Sequence, residues 1–335
     1  MLNDQNHAAL GRRGLLRGAA ALGAASLALR PAGAEEAWPG RPVTVLVPFV
    51  AGGSSDVVAR AMGQRLQQGI GQPVVVENRP GANGEVAARA VVRSAPDGHT
   101  LFLGSIGVFA INAALRPNLG YDPVRDLAPV TLAVTTPNVL VVNPRQVPAT
   151  DLAGVIAWMK ANPGASYSTS GVGSSDQLTM ELFKQRTGTE STHVPYGGGA
   201  AAQTDLIAGN VQLSFQNLGS VTGHIAGGRM RAIAVTSRER HPALPDVPTM
   251  IEGGVPDFEV TSWQAVMAPA GLAGPLLERV NAAVVTALRH PETARRLGEI
   301  GFAVVADSPE SYRRFQQAEI DRWREVVRRA GIRAE

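Results

Sequence analysis

The chain of 335 residues has no cysteine. That absence removes disulfides, thiolate metal sites, cysteine nucleophiles and a lipoprotein anchor together. No apolar run approaches the ~20 residues that span a bilayer. Charge of one sign is also lacking. Of 31 lysines and arginines, four (Arg12, Arg13, Arg17 and Arg30) stand in the first 34 residues against Asp4 alone, which leaves 27 basic and 27 acidic residues beyond them. A neutral body with scattered signs offers no electrostatic footing for nucleic acid or an anionic membrane. Signatures of catalysis are equally thin. No Gly-rich turn is followed by Lys-Ser/Thr at P-loop spacing, and Gly171-Val-Gly173-Ser-Ser-Asp lacks the third glycine of a dinucleotide fingerprint. His99, His193, His224, His241 and His290 are isolated from one another, without paired-ligand spacing, so no metal and no cofactor are expected. Leu103-Gly104-Ser105-Ile106-Gly107 approaches a nucleophile elbow, with Leu103 where glycine belongs. A secreted α/β hydrolase using Ser105 and a distant histidine is therefore the alternative function.

What is present begins with an export pattern. "GRRGLLRG" supplies a charged segment, "AAALGAASLAL" (19–29) a short apolar one, and Ala32 and Ala34 the small-residue spacing of a cleavage site. Arg12-Arg13-Gly14-Leu15-Leu16-Arg17 resembles a twin-arginine signal. The expectation is a signal peptide over 1–34 and a soluble periplasmic protein starting at Glu35.

Beyond it, apolar alternation in Val43, Val45 and Val47 predicts a buried strand ended by Pro48. Ser54 or Ser55 is placed to cap a helix carrying Val58, Ala61, Met62 and Leu66. Further strands are expected in "QPVVVEN" and "HTLFLGS", which makes a βα alternation and a mainly parallel sheet. Two short strands broken at Thr135-Thr136-Pro137 suggest passage into a second domain. There the scheme repeats through a helix capped by Thr150 or Asp151, then strands in "ASYSTS", "STHVPY", "NVQLSFQN" and "MRAIAVTS". The Pro- and Gly-rich "RHPALPDVPTMIEGGVPDFEV" suits a return crossing, and helices from Pro275 and Pro309 close the chain. The expected organisation is two α/β lobes joined by two crossover segments: 35–136 with 258–335, and 137–257.

Gly-Ser-Ser-Asp occurs at 53–56 and again at 173–176, each time between a strand pattern and a helix pattern. Glycine at a strand's carboxyl end leaves backbone N–H groups uncovered, and the following helix adds unpaired N–H groups and the positive end of its dipole. Serine hydroxyls add neutral donors. Two such turns facing each other would grip one carboxylate from both sides; each by itself is equally a capped helix start. Asn83, Ser105, Tyr196, Gln216 and Asn217 stand at other strand ends, as turn residues or as parts of the same cleft.

Pro48-Phe49-x-x-Gly52-Gly53-x-x-Asp56-x-x-Ala59-Arg60, Pro73-Val-Val-Val-Glu77-Asn78-Arg79-Pro80-Gly81-Ala82, Ala95-Pro96-Asp97-Gly98, His193-Val194-Pro195-Tyr196 and Ala268-Pro269-Ala270-Gly271 together resemble the tripartite tricarboxylate transporter solute-binding proteins, the Bug or TctC-like family. The resemblance runs from about Trp38 to Ile332. It implies a type II periplasmic binding-protein fold that closes on a small organic acid and performs no chemistry. It implies that one pincer is Gly52, Gly53, Ser54, Ser55 and Asp56, and the other Ser170, Gly173, Ser174 and Ser175, with Asn83, Ser105, Tyr196 and Gln216 completing the pocket. A membrane permease or sensor would receive the ligand, and a neutral body with one cleft fits a monomer. Two positions depart from the family: Gln177, where histidine is frequent, and Gln216, where aspartate is usual. A neutral Gln216 turns the expectation from amino acids toward a dicarboxylate, tricarboxylate or aromatic acid.

Overall fold

The computed structural model describes residues 38–116 and 118–330; the expected export signal over 1–34 lies outside them. The chain falls into two compact units that divide at Gly40 and Arg41. The first is described only at residues 38–40, and the fold below is that of the second. Among the described residues no helix is long and apolar enough to cross a membrane.

The elements run β1 (Val43–Val47), α1 (Ser54–Ile70), β2 (Val74–Asn78), α2 (Glu85–Val92), β3 (Thr100–Ser105), a wide helical turn over Gly107–Ile111 leading into α3 (Asn112–Leu115), and β4 (Leu127–Val142). They continue with α4 (Leu152–Ala161), β5 (Ser166–Thr169), α5 (Ser175–Thr187), β6 (Thr192–Pro195), α6 (Gly199–Ala208), β7 (Leu213–Asn217), α7 (Leu218–Ala226), β8 (Arg231–Val235) and β9 (Thr261–Pro269). Helices α8 (Gly274–Arg289) and α9 (Pro291–Glu299), the short β10 (Ala303–Val304) and α10 (Pro309–Ala330) complete the chain.

The strand order is β2-β1-β3-β9-β4-β7-β5-β6, with β8 and β10 also paired to β4. At one end β2, β1 and β3 are parallel. At the other end β6, β5 and β7 are parallel. Each trio has the first-entered strand at its centre, so the turn after β1 and the turn after β5 are topological equivalents. That equivalence answers why the same tetrapeptide is built twice. Between the trios, β9 and β4 add antiparallel pairings. The result is a two-lobed α/β fold of the type the resemblance implies.

Where two short strands are expected around Pro137, one 16-residue strand, β4, is found. Pro137 is tolerated because it stands where β4 changes partner. Up to Pro137, opposite Thr261, the strand pairs with β9; from Asn138, opposite Asn217, it pairs with β7. A missing N–H costs least at such a changeover. The Pro- and Gly-rich stretch before β9 forms turns without helix or long strand, and it is anchored by buried Met250, Val255 and Phe258. Phe258 stacks on Phe215 and meets Phe183 edge-on, which closes the core over β7 and α5. Helix α9 was not anticipated; Pro291 at its start and Leu297 in its buried face are the only local signals.

Helix α1 buries Val58, Ala59, Met62 and Leu66. Its cap differs from expectation: Gly53 is the N-cap and no side chain closes it. Helix α4 is capped by Asp151, whose carboxylate accepts from Gly154 N.

Candidate functional site

Parallel α/β sheets bind ligands at the carboxyl ends of their strands, where successive connections leave to opposite sides. In each trio that place is beside the central strand. The two places converge on one cavity of about 30 Å³, which its lining residues nearly fill. From the β1–α1 turn it receives Phe49, Gly53, Ser54 and Ser55, and from the end of β3 Ser105. From the β5–α5 turn come Ser170, Ser174, Ser175 and Asp176, and Gly199, Gln216, Asn217 and Ser220 close it. No lysine, arginine or histidine is among them.

The two turns share a fold but differ in finish. Gly52 has φ +84°, which a side chain would strain, and its N–H donates to Asp56 Oδ2 at 2.9 Å. The same oxygen accepts from Arg60 Nε at 2.9 Å, and Asp56 Oδ1 accepts from Asn78 Nδ2 at 3.0 Å. Burial pushes the Asp56 carboxyl up, but the bonds from Arg60, Gly52 and Asn78 outweigh it and hold the group below its ordinary value. Asp56 therefore braces the turn and faces away from the cavity. Asp56→Asn is expected to lower stability by about 2 kcal/mol, because buried donors lose a charged acceptor. Since the folded carboxyl titrates below the unfolded one, this advantage of the wild type holds above about pH 4 and fades as pH falls through the folded value. Equilibrium urea unfolding at neutral and acid pH measures both effects.

In the second turn, Ser174 is the true N-cap; its Oγ accepts from Gln177 N at 3.3 Å. Gln177 Oε1 in turn accepts from Gly173 N at 2.7 Å, so the residue that departs from the family fixes the turn's backbone. Gly173, at φ +81°, packs between Leu115, Asn83 and Asn112, and a methyl there would stand 3.0 Å from the Leu115 side chain. Ser175 Oγ lies between Asp176 Oδ1 and Ser262 Oγ, and Asn217 Nδ2 donates to it at 3.3 Å. Asn217 Nδ2 also donates to Asn138 Oδ1 at 2.6 Å, and its Oδ1 accepts from Gln264 Nε2 at 3.3 Å. A wall of the cavity is thus tied to β4 and β9.

Of the residues expected in the pocket, Gly53, Ser54, Ser55, Ser105, Ser170, Ser174, Ser175 and Gln216 line the cavity. Gly52, Asp56 and Gly173 lie behind it as turn supports. Asn83 also lies outside the lining: at φ 48° it donates through Nδ2 to Asn112 Oδ1 of α3 at 3.0 Å, beside Gly173 of the second turn. Tyr196 is outside too, because its hydroxyl is spent on Asp205 Oδ2 at 2.6 Å. Gln216 is held by both ends of its amide; Oε1 accepts from Gln203 Nε2 and Nε2 donates to Ser214 Oγ. Ser54 is different. Its Oγ is buried without a hydrogen-bond partner, since Gly53 has taken the capping position. Phe49, Asp176, Gly199 and Ser220 were missed; the glycine run at 197–199 and the second Gly-Ser-Ser-Asp were the signals in the sequence for Gly199 and Asp176. A methyl on Gly198 would stand 3.2 Å from Val50 N, so the β6–α6 loop comes close to the backbone of the β1–α1 turn there.

Ser105 has no histidine partner in the cavity lining to activate it as a nucleophile. The family described as "Tripartite tricarboxylate transporter family receptor" matches residues 58–332. Protein BugT of Bordetella pertussis is 38% identical over 300 residues, 89% of this chain and 92% of that protein. Among solved structures, Rpa4515 of R. palustris with adipate is 38% identical with TM-score 0.86, covering 88% of this chain and 99% of that one. MatC of Rhodopseudomonas palustris, with bound malate, is 34% identical with TM-score 0.82, covering 87% and 100%.

Proposed function

Because the chain belongs to the tripartite tricarboxylate transporter family of periplasmic solute-binding receptors, which are not enzymes, we propose that it captures a small organic acid between the β1–α1 and β5–α5 turns and delivers it to a membrane permease or sensor. The observation that carries this reading is Ser54, whose buried hydroxyl has no partner, in the lining of a cavity that receives five serines from two equivalent helix starts. Helix starts and hydroxyls suit an oxyanion without any basic side chain. Relatives seen with adipate and malate support a carboxylate. Gln216, neutral and locked by Gln203 and Ser214, favours a dicarboxylate, tricarboxylate or aromatic acid over an amino acid. The same reading includes export by a twin-arginine-type signal over 1–34, lobes of 35–136 with 258–335 and of 137–257, and a monomer in solution.

A thermal-shift panel of adipate, malate, citrate, aromatic acids and amino acids tests it. A true ligand at about 100 times its Kd adds about 2.7 kcal/mol, a shift of several degrees. Ser54→Ala is expected to weaken the best binder about tenfold, the loss of one charge-assisted hydrogen bond, at unchanged melting temperature of the free protein. Full affinity in a folded Ser54→Ala protein would remove that hydroxyl from the site. A panel in which only amino acids bind would overturn the ligand class.

A further inference from the structure

We propose that Asp176 meets the bound carboxylate as a neutral acid, so that the ligand is taken up together with a proton; this rests on the carboxylate reading above. Asp176 is the one ionisable side chain lining the cavity, and it is 3% exposed. Its Oδ2 accepts from Ser170 N at 2.9 Å and its Oδ1 from Ser175 Oγ at 3.2 Å. Neither donor is a cation. Its topological counterpart, Asp56, has the Arg60 guanidinium and the Asn78 amide and stands behind the cavity; four residues after Asp176 stands Met180 instead. The site therefore holds a carboxylate where an anionic ligand must sit, with no basic side chain to separate the two.

Like charges in one dry site do not both ionise; one takes a proton. The surroundings make Asp176 the acceptor. Burial pushes its carboxyl above the ordinary range, and the bonds from the Ser170 hydroxyl and N–H, the Ser175 hydroxyl and its own N–H offset this only in part. Titratable and charged groups on the neighbouring elements are otherwise engaged. On α5, Glu181 accepts from Tyr167 and Lys184. On β6, His193 sits against Thr169 and Gln177, and on α1 Asp56 is paired with Arg60. From β4, β7 and β9 the groups at hand are the neutral Asn138, Gln216, Asn217 and Ser262. The step is simple in balance: a proton from solvent adds to one carboxylate oxygen of Asp176, which then donates it in a hydrogen bond to a ligand oxygen. Each Asp176 oxygen keeps a lone pair for its present donor.

The test is isothermal titration of the tightest binder from the carboxylate panel, in two buffers of different ionisation heat, from about pH 6 to about pH 9, where the ligand's own carboxylates are ionised. Net uptake approaching one proton per ligand is expected, with affinity falling by up to about tenfold per pH unit as pH rises between the free and complexed values of Asp176. Asp176→Asn, which mimics the neutral acid in size and donor, should bind within about threefold of the wild type near pH 6 and lose both proton uptake and slope. Binding by the wild type without proton uptake overturns the proposal, as does a folded Asp176→Asn protein that keeps the slope or binds weakly at every pH. The wild-type stoichiometry decides the matter even if Asp176→Asn fails to fold. Absence of binding by every carboxylate sinks the carboxylate reading itself, and this inference with it.

Discussion

Trp263→Ala is expected to cost about 3–5 kcal/mol, the range for removing a buried large aromatic. Trp263 lies on β9 at 1% exposure, between the sheet and α10. Its ring stacks on Phe109 and meets Phe315 and Tyr312 edge-on, with centroids 6.4, 5.5 and 6.0 Å away. Its Nε1 donates to Glu319 Oε2 at 2.8 Å. Glu319 is itself buried and also accepts from Trp323 Nε1 and Arg322 Nη1. The substitution thus opens a cavity and strips one donor from a buried carboxylate. Trp263→Phe separates the two, keeping most of the packing and losing the bond, for about 1–3 kcal/mol. Equilibrium urea unfolding with an unchanged m value reads both; an alanine variant within about 1 kcal/mol of the wild type would refute the packing account.

The second large effect is expected at Gly219, where the loss comes from adding atoms. A methyl on Gly219 would stand 2.2 Å from Phe302 Cε2 and 2.3 Å from Cζ, and one on Gly301 (φ +105°) would stand 2.8 Å from Leu218 Cγ. The start of α7 and the segment after α9 are pressed together through two bare glycines. Phe302 is 2% exposed and has no room to withdraw. Gly219→Ala should cost about 3 kcal/mol, the upper part of the overpacking range. Because α7 follows directly on Asn217 and carries Ser220, both cavity residues, ligand affinity should fall with it. Phe302→Leu in the same chain should recover part of the loss, a non-additivity that a double-mutant cycle measures. Additive costs would place the strain elsewhere.

Much of this architecture can be read from residue order because each trio announces itself locally. A strand pattern, a small-residue turn and an apolar helix stripe follow one another in both halves, with alternating valines in β1 and Ser-Tyr-Ser-Thr in β5. The repeated Gly-Ser-Ser-Asp identified the two turns, and all six serines expected in the pocket (Ser54, Ser55, Ser105, Ser170, Ser174 and Ser175) line the cavity. The errors have physical causes. Pro137 looks like a break because local rules do not know that the strand changes partner at that residue. Ser54 looks like a cap because serine favours that place, yet the helix begins one residue later than the cap at Gly53. Tyr196, expected beside the ligand, stands outside the cavity lining, and its hydroxyl donates to Asp205, nine residues on. The different surroundings of Asp56 and Asp176 are decided by Asn78 and Arg60 on one side and by serines on the other, and the shared tetrapeptide carries no trace of that.

The pairing of Pro137 with Thr261 has a kinematic consequence. The chain passes from one half to the other along β4 and returns into β9, and the two passages lie side by side at a single level of the sheet. On the proposed two-lobe reading, two adjacent strands at one level would act as a pin joint, leaving the halves free to swing about it and stiff against sliding past one another. Points close to the pin trace short arcs. Asn217 and Ser175, bonded to Asn138 and Ser262 beside that level, would then stay nearly stationary while the opposite jaw travels. An arriving solute would meet a seat already assembled on this side, and only the other side would have to come to it.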